Sequence, residues 1–301
     1  SGEQVPDSLL TSCESVCIIA CGSAMHAGLA GQFLMKKFLH IPVSVEMASE
    51  FMYTDPVVDE KTLVIAVSQS GETIDTLEAL KYAKQKGAGS LAVINVKGSS
   101  IARESDAVLY TNAGPEIAVA STKAYTSQLA LFALLVARMA YVRGDFTETE
   151  TRDFVRELKR VPDAMEKVLA GKEKIHHIAG RIISAKDIFM IGRGLDYFIA
   201  MEGSLKLKEV SYIHSEAYAS GELKHGPLAL ITEHTPVVAV ATQKQLLSKE
   251  VSNIREVRSR GADVVLFAKE QLMPEEEEGY LTFELPDVRD EFMCLPAAAA
   301  L

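Results

Sequence analysis

Thr62-Leu63-Val64-Ile65-Ala66-Val67-Ser68-Gln69-Ser70-Gly71-Glu72-Thr73, with the stretch Ile74 to Lys86 that follows it, decides the fold. The first half is an unbroken apolar run of the kind found in a strand buried on both faces. The second half is a hydroxyl-rich turn. Ile74 to Lys86 reads as a helix with Ile74, Leu77, Leu80 and Ala83 on one face and Gly87 as its stop. Strand, turn and helix make the building unit of an α/β fold with a parallel sheet. The turn sits where the free N–H groups and the positive dipole end of a helix favour an anion. Ser68, Ser70 and Thr73 can donate to phosphate oxygens, and Gly71 lets backbone approach closely. The turn contains no Lys or Arg, which suits a phosphate monoester better than a nucleoside triphosphate with magnesium. The same residues equally describe a capped helix after a polar turn, with Thr73 or Ser70 as cap.

Working outward, further apolar runs read as strands at Val16–Ala20, Val43–Val45, Ser90–Ile94 and Ala107–Tyr110. After a charged helical segment from about Thr149 to Gly180 the pattern restarts at Ile188–Ile191, Thr235–Ala241 and Ala262–Phe267. The restart has a register. Cys17–Gly22 aligns with Phe189–Gly194, Thr62–Val67 with Thr235–Val240, and Gly87 with Gly261, at an almost constant offset of about 172–174 residues. The expectation is an α/β chain of two tandem domains, each a parallel sheet flanked by helices, related by internal duplication. The first spans residues 8–148, linking helices 149–180, and the second 181–301. Where the first copy has Ser68–Thr73 the second has Thr242-Gln243-Lys244-Gln245, so the phosphate turn is not repeated.

A length of 301 residues suits two domains, and 48% hydrophobic with 24% charged residues is the balance of a globular protein. A net charge of −10 gives no electrostatic support to nucleic-acid or membrane-surface binding. The longest apolar stretches, such as Leu129 to Met139, are too short to span a bilayer, and no secretory signal is visible at the N-terminus. Cys13, Cys17 and Cys21 are spaced by four, but Val16–Ala20 reads as a strand, which separates Cys17 from Cys21 and argues against a metal site. Few cysteines fit a reducing cytoplasm. The absence of Trp argues against an aromatic platform for neutral sugars. The run Pro274–Gly279, with four consecutive glutamates, reads as a solvated loop.

Chemistry concentrates in the second copy. Lys206 and Glu209 share a helix face, flanked by Leu205, Leu207 and Val210, which implies a largely buried helix. A carboxylate tuned by burial beside a lysine can act as a general base. An ordinary helical ion pair on a solvated face has the same spacing. His225, in Gly221-Glu-Leu-Lys-His-Gly-Pro227, falls on an irregular loop, and histidine is the residue type suited to ring opening or proton shuttling near neutral pH. A loop histidine that caps backbone groups would look the same. Gly22-Ser23 follows the first strand, at the usual ligand position of open α/β sheets. Ala118–Lys123 is a small-residue turn before the helix Ala124 to Tyr141. It offers either backbone donors or an ordinary cap at Ser121 or Thr122.

These residues carry a resemblance. Cys21-Gly22-Ser23, Ser68–Thr73 and Val119-Ala120-Ser121-Thr122-Lys123 are similar to sugar-phosphate isomerase (SIS) domains. Leu205–His214, Glu216–Tyr218 and Gly221–Leu228 are more specific and resemble the isomerase half of the glutamine–fructose-6-phosphate aminotransferase family. The resemblance covers essentially the whole chain. It implies that fructose 6-phosphate is opened, condensed with ammonia at C2 and isomerised to glucosamine 6-phosphate, with no cofactor or metal. It implies that Ser68, Gln69, Ser70 and Thr73 hold the phosphate, and that Cys21, Gly22, Ser23, Val119 and Ser121 line the sugar. Glu209 moves the proton between C1 and C2, Lys206 assists, and His225 opens the ring in the site of a neighbouring subunit, which requires a homodimer.

Three departures from the family pattern matter. The chain starts Ser1-Gly2 without the family's glutaminase domain, so ammonia from glutamine is expected only in a longer parent. It stops at Ala297–Leu301, short of the family's sugar-covering lysine tail, and Ala24 replaces a hydroxyl residue after Gly22-Ser23. Two other readings share the fold: a related sugar-phosphate deglycase or isomerase, and a non-catalytic sugar-phosphate sensor.

Overall fold

The computed structural model describes residues 5–273 and 280–301, so the glutamate run lies outside the described residues. The chain forms two compact units, one ending at Leu158 and one beginning at Lys159.

In the first unit the elements run α1 (Asp7–Thr11), β1 (Ser15–Ala20), α2 (Ser23–Leu39), β2 (Val43–Met47), β3 (Thr62–Ser68), α3 (Ile74–Gln85), β4 (Gly89–Ile94), α4 (Ser100–Glu104), β5 (Ala107–Tyr110), α5 (Lys123–Arg143) and α6 (Glu148–Leu158). The five strands form a parallel sheet in the order β2-β1-β3-β4-β5. All seven residues of β3 are buried, because helices cover both faces of the central strand. On one face Ala79, Leu80 and Ala83 of α3 pack on Val64, Ala66 and Ile94. On the other, α2 approaches so closely that a Cβ at Gly31 would fall 2.5 Å from the Phe132 ring of α5. Small residues on α2 are therefore a packing requirement. The buried face of α3 comprises Thr76, Ala79, Leu80 and Ala83. Ile74, expected on it, is 74% exposed, because it is the first helical residue and lies at the mouth of the turn. Helix α5 has 21 residues and is long and apolar enough to cross a membrane by length and composition, extending beyond the stretch Leu129–Met139. In this unit it is a core helix, with Leu129, Phe132, Val136 and Met139 buried.

The second unit has α7 (Val161–Ala170), α8 (Lys172–Ile182), β6 (Asp187–Gly192), α9 (Leu195–Ser211), β7 (His214–Ala219), β8 (Pro236–Ala241), α10 (Leu247–Ser259), β9 (Asp263–Lys269), β10 (Leu281–Leu285) and α11 (Cys294–Ala300). Its sheet is again parallel, in the order β7-β6-β8-β9-β10. Read from the other edge, the two sheets have one topology, as duplication predicts. The match reaches the backbone of the junctions. Gly22 and Gly194, the N-caps of α2 and α9, share φ/ψ of 55/−132° and 59/−125°, a region closed to side chains with a Cβ. Both helices have 17 residues and end on a left-handed cap, His40 and Tyr212.

Strands β7 and β10 are additions to the sequence reading. Both are edge strands of the second sheet. His214, Ser215, Glu216 and Tyr218 make β7 polar, so a segment expected to be helix and loop carries no apolar run to betray a strand.

Candidate functional site

The first candidate site lies at the carboxyl ends of β1 and β3. The chain leaves β1 toward β2 on one side of the sheet and leaves β3 toward β4 on the other, so the two connections diverge and leave a crevice. Cys21, Gly22 and Ser23 form one wall, and Ser68 to Thr73 the other.

The turn is built by its own hydroxyls. Ser68 Oγ accepts the Gly71 N–H at 3.0 Å and shares a hydrogen bond with Thr73 Oγ1 at 2.9 Å. Ser70 Oγ accepts the Glu72 N–H at 3.1 Å. Gly71 is required twice. Its φ is +66°, and a Cβ would fall 2.0 Å from Ser99 Oγ. Glu72, the charged member of the turn, points away to accept the Ser100 N–H of α4 at 2.8 Å, and the Ser100 hydroxyl together with that N–H holds its carboxyl below the ordinary range. Neither capping expectation is met. Thr73 occupies the N-cap of α3, but no side chain caps that helix, and Ser70 serves the turn instead. The first N–H groups of α3 thus face the crevice without a capping side chain. Behind them Thr76 is fully buried, 4.0 Å from Cys21 Sγ.

Val119 and Ser121 lie before α5. Val119 is 96% exposed. Ser121 donates to Glu116 Oε2 at 3.4 Å, and Glu116 also accepts the Ala124 N–H at 3.2 Å. The carboxylate therefore caps α5, rather than the hydroxyl of Ser121 or Thr122.

In the second unit α9 brings Lys206 and Glu209 together at 2.7 Å. One turn earlier Glu202, almost fully buried, lies 3.6 Å from the same ammonium. Lys206 is thus clamped between two carboxylates spaced at −4 and +3 along one helix face. The helix is not buried along its whole length. Its first half is, but Glu209 is exposed and Val210 is 66% exposed. Glu202 was within reach of the sequence, since it precedes Lys206 by one helical turn. His225 is exposed at the end of the 3₁₀ turn Ser220–His225 and makes no hydrogen bond or ion pair with Lys206 or Glu209.

The carboxyl ends of β6 and β8 hold what the sequence reading missed. Asp196 accepts the Thr242 N–H at 2.7 Å and the Thr242 hydroxyl at 2.5 Å. Arg193 donates to Asn253 Oδ1 from Nε at 3.2 Å and from Nη2 at 2.7 Å, and its Nε lies 3.7 Å from Glu250 Oε2. Burial pushes Asp196 up to about 7 against the pull of the Thr242 hydrogen bonds. Burial likewise pushes Glu250 up to about 7, against its bond from Ser220 and with added repulsion from Asp196. The available signal was the register itself, which sets these charges opposite small neutral residues of the first copy. Among the described residues no group of three or more His, Cys, Asp or Glu is arranged to hold a metal ion.

The SIS domain model matches residues 9–138 and 181–299. Over 261 residues the chain is 54% identical to a protein of Caldanaerobacter subterraneus subsp. tengcongensis named glutamine–fructose-6-phosphate aminotransferase [isomerizing], covering 87% of this chain and 43% of that protein. A Clostridium acetobutylicum protein of the same name is 50% identical over 288 residues, 96% of this chain and 47% of that one. The chain therefore spans less than half the length of these curated relatives. The solved C-terminal domain of glucosamine-fructose-6-phosphate aminotransferase from Francisella tularensis superposes with a TM-score of 0.92 at 39% identity, over 98% of this chain and 86% of that domain.

Proposed function

Because the chain belongs to the SIS domain family, we propose that it is the sugar-phosphate isomerase part of an enzyme of the glutamine–fructose-6-phosphate aminotransferase type. Its substrate would be fructose 6-phosphate, its nitrogen source ammonia, and its product glucosamine 6-phosphate. The observation that carries this reading is the Ser68–Thr73 turn at the switch point of the first sheet, together with names shared by relatives at 50–54% identity.

The phosphate would sit on the first turn of α3 and take hydrogen bonds from Ser68, Gln69, Ser70 and Thr73. Cys21, Gly22, Ser23, Val119 and Ser121 would contact the sugar. Held remote from the reacting carbons, the phosphate supplies positioning. Ring opening needs one proton taken from the anomeric hydroxyl and one given to the ring oxygen, the work assigned to His225. Ammonia adds at C2 and water leaves, forming an imine. Glu209 removes a proton from C1 and returns one to C2, which leaves an aldehyde at C1 and an amine at C2. Lys206, held between Glu202 and Glu209, would stabilise negative charge that develops on the enol oxygen. The exposure of His225 supports its use in the site of a second copy, in a homodimer. Ammonia would come from a glutaminase domain in a longer parent protein. The four free thiols support a cytoplasmic location.

The test is proton exchange. The chain is incubated with fructose 6-phosphate in heavy water, and deuterium entry at C1 is followed by NMR. Entry that disappears in Glu209→Gln while the ligand still binds is the expected result. Entry that persists undiminished in that variant removes Glu209 as the base. Binding without any entry favours the sensor reading.

A further inference from the structure

The loop that carries His225 is a single 3₁₀ turn, Ser220–His225, followed by Gly226 at φ +140°. Such short turns have little stability of their own. This one is fixed from beneath by side chains of other elements. Ser220 Oγ donates to Glu250 Oε1 at 2.7 Å, and both residues are buried. Gly221 rests on the Arg193 guanidinium, where a Cβ would come within 3.0 Å of Nη2. Asn253 holds that guanidinium from α10. Lys224 pairs with Glu256 at 3.3 Å, one turn further along the same helix.

The duplication supplies the control. In register, Arg193, Ser220 and Glu250 correspond to Cys21, Ala48 and Thr76 of the first unit. There no charge stands at any of the three positions. The apolar anchor of the loop is common to both units, Phe51 in one and Leu223 in the other, each buried. In the first unit that anchor seats the shorter 3₁₀ element Phe51–Tyr53 without a polar set beneath it. A buried charged pair costs more to bury than apolar side chains of similar size, and its attested return is conformational specificity. Polar residues stand at three linked positions only in the copy whose loop carries the histidine.

We propose that Glu250 and Asn253 of α10, with Arg193 from the junction of β6 and α9, form a cradle that, through Ser220 and Gly221, positions the His225 loop for proton transfer at the substrate. They are positioning residues. The proposal rests on the assignment of His225 to ring opening. In effect, the helix that presents its N-terminus to the phosphate in the first unit serves in the second as the bed of a catalytic loop.

The experiment is a double-mutant cycle on the full chain, with Ser220→Ala and His225→Ala. Ser220→Ala places in the second unit the residue the first unit uses, so the fold is expected to stand. The readouts are the rate of deuterium entry at C1 of fructose 6-phosphate, its half-saturating concentration, and amide hydrogen exchange of residues 220–225. Ser220→Ala should speed loop exchange about tenfold and slow deuterium entry about tenfold, with half-saturation changed less than about twofold. In the His225→Ala background it should slow entry no further. The cradle is overturned if Ser220→Ala leaves loop exchange or entry unchanged, or if it costs the same factor with and without His225. Glu250→Ala should reproduce Ser220→Ala, and Glu250→Gln, which keeps the acceptor, should restore both readouts. If His225→Ala alone leaves entry intact, the assignment of His225 fails, and the cradle with it. Full loss in His225→Ala with none in Ser220→Ala defeats the cradle alone.

Discussion

The two crevices share a backbone and differ in who occupies their hydrogen-bond donors. At the end of the central strand of the first unit stands Ser68, at the end of its counterpart Thr242. Ser68 organises a turn whose remaining donors face outward. Thr242 has its N–H and hydroxyl taken by the buried Asp196 carboxylate, an anion supplied by the protein itself. Opposite Asp196 in register is Ala24, and opposite the Arg193–Glu250 pair are Cys21 and Thr76. A few side chains therefore give one α/β framework either a turn with open donors, as the proposed anion receptor needs, or a turn whose donors a carboxylate of the same chain has taken. The departure at Ala24 takes on meaning here: a small neutral residue at that position keeps a carboxylate away from Ser68.

Substitutions that exchange these features test the comparison. Gly71→Ala should have the largest effect, because it forces a Cβ into Ser99 at a positive φ. Binding of fructose 6-phosphate, measured by calorimetry, should weaken about 100-fold or more. Gln245→Ala, at the equivalent exposed position of the second unit, should change it less than about twofold. Ala24→Asp gives the first unit the carboxylate of the second and should weaken phosphate binding about 30-fold, by like charge and by competition for Ser68. Ser70→Ala should weaken fructose 6-phosphate about tenfold and fructose hardly at all. Equal weakening of both would count against a phosphate contact. The smallest effect concerns pH. Asp196 and Glu250 titrate near 4 when unfolded and at about 7 when folded, so between those values the folded chain retains protons that the unfolded chain has lost. Stability should fall as pH rises across that window and level off above it. Glu250→Gln should flatten the slope by about 1 kcal/mol in denaturant titrations between pH 5 and 8.

Buried strands and turn chemistry were legible in the sequence because each has a local cause. Continuous apolar runs gave the five strands of the first sheet and the three inner strands of the second. Strands β7 and β10 were not legible, since an edge strand is half solvated and needs no apolar run. The hydroxyl-rich turn was readable from Ser68, Ser70, Gly71 and Thr73, but its internal bonding was not: which hydroxyl caps and which braces depends on the Ser68–Thr73 and Ser70–Glu72 contacts. Spacing alone brought Lys206 to Glu209. Their burial depends on the tertiary packing around α9, which no helical period reports. Arg193 and Asp196 lie far from Glu250 in sequence, and only comparison of the two copies singles the three out.

One feature of the turn reaches beyond affinity. With Glu72 turned away and no lysine or arginine among Ser68–Thr73, the turn offers its crevice only uncharged donors. On the proposed function, what changes charge near neutrality is the guest, whose phosphate loses its second proton at about pH 6. Hydrogen-bond donors and a helix dipole hold a dianion more firmly than a monoanion. The ligand would thereby be the pH sensor of its own capture, which would strengthen as the solution turns from mildly acidic to neutral.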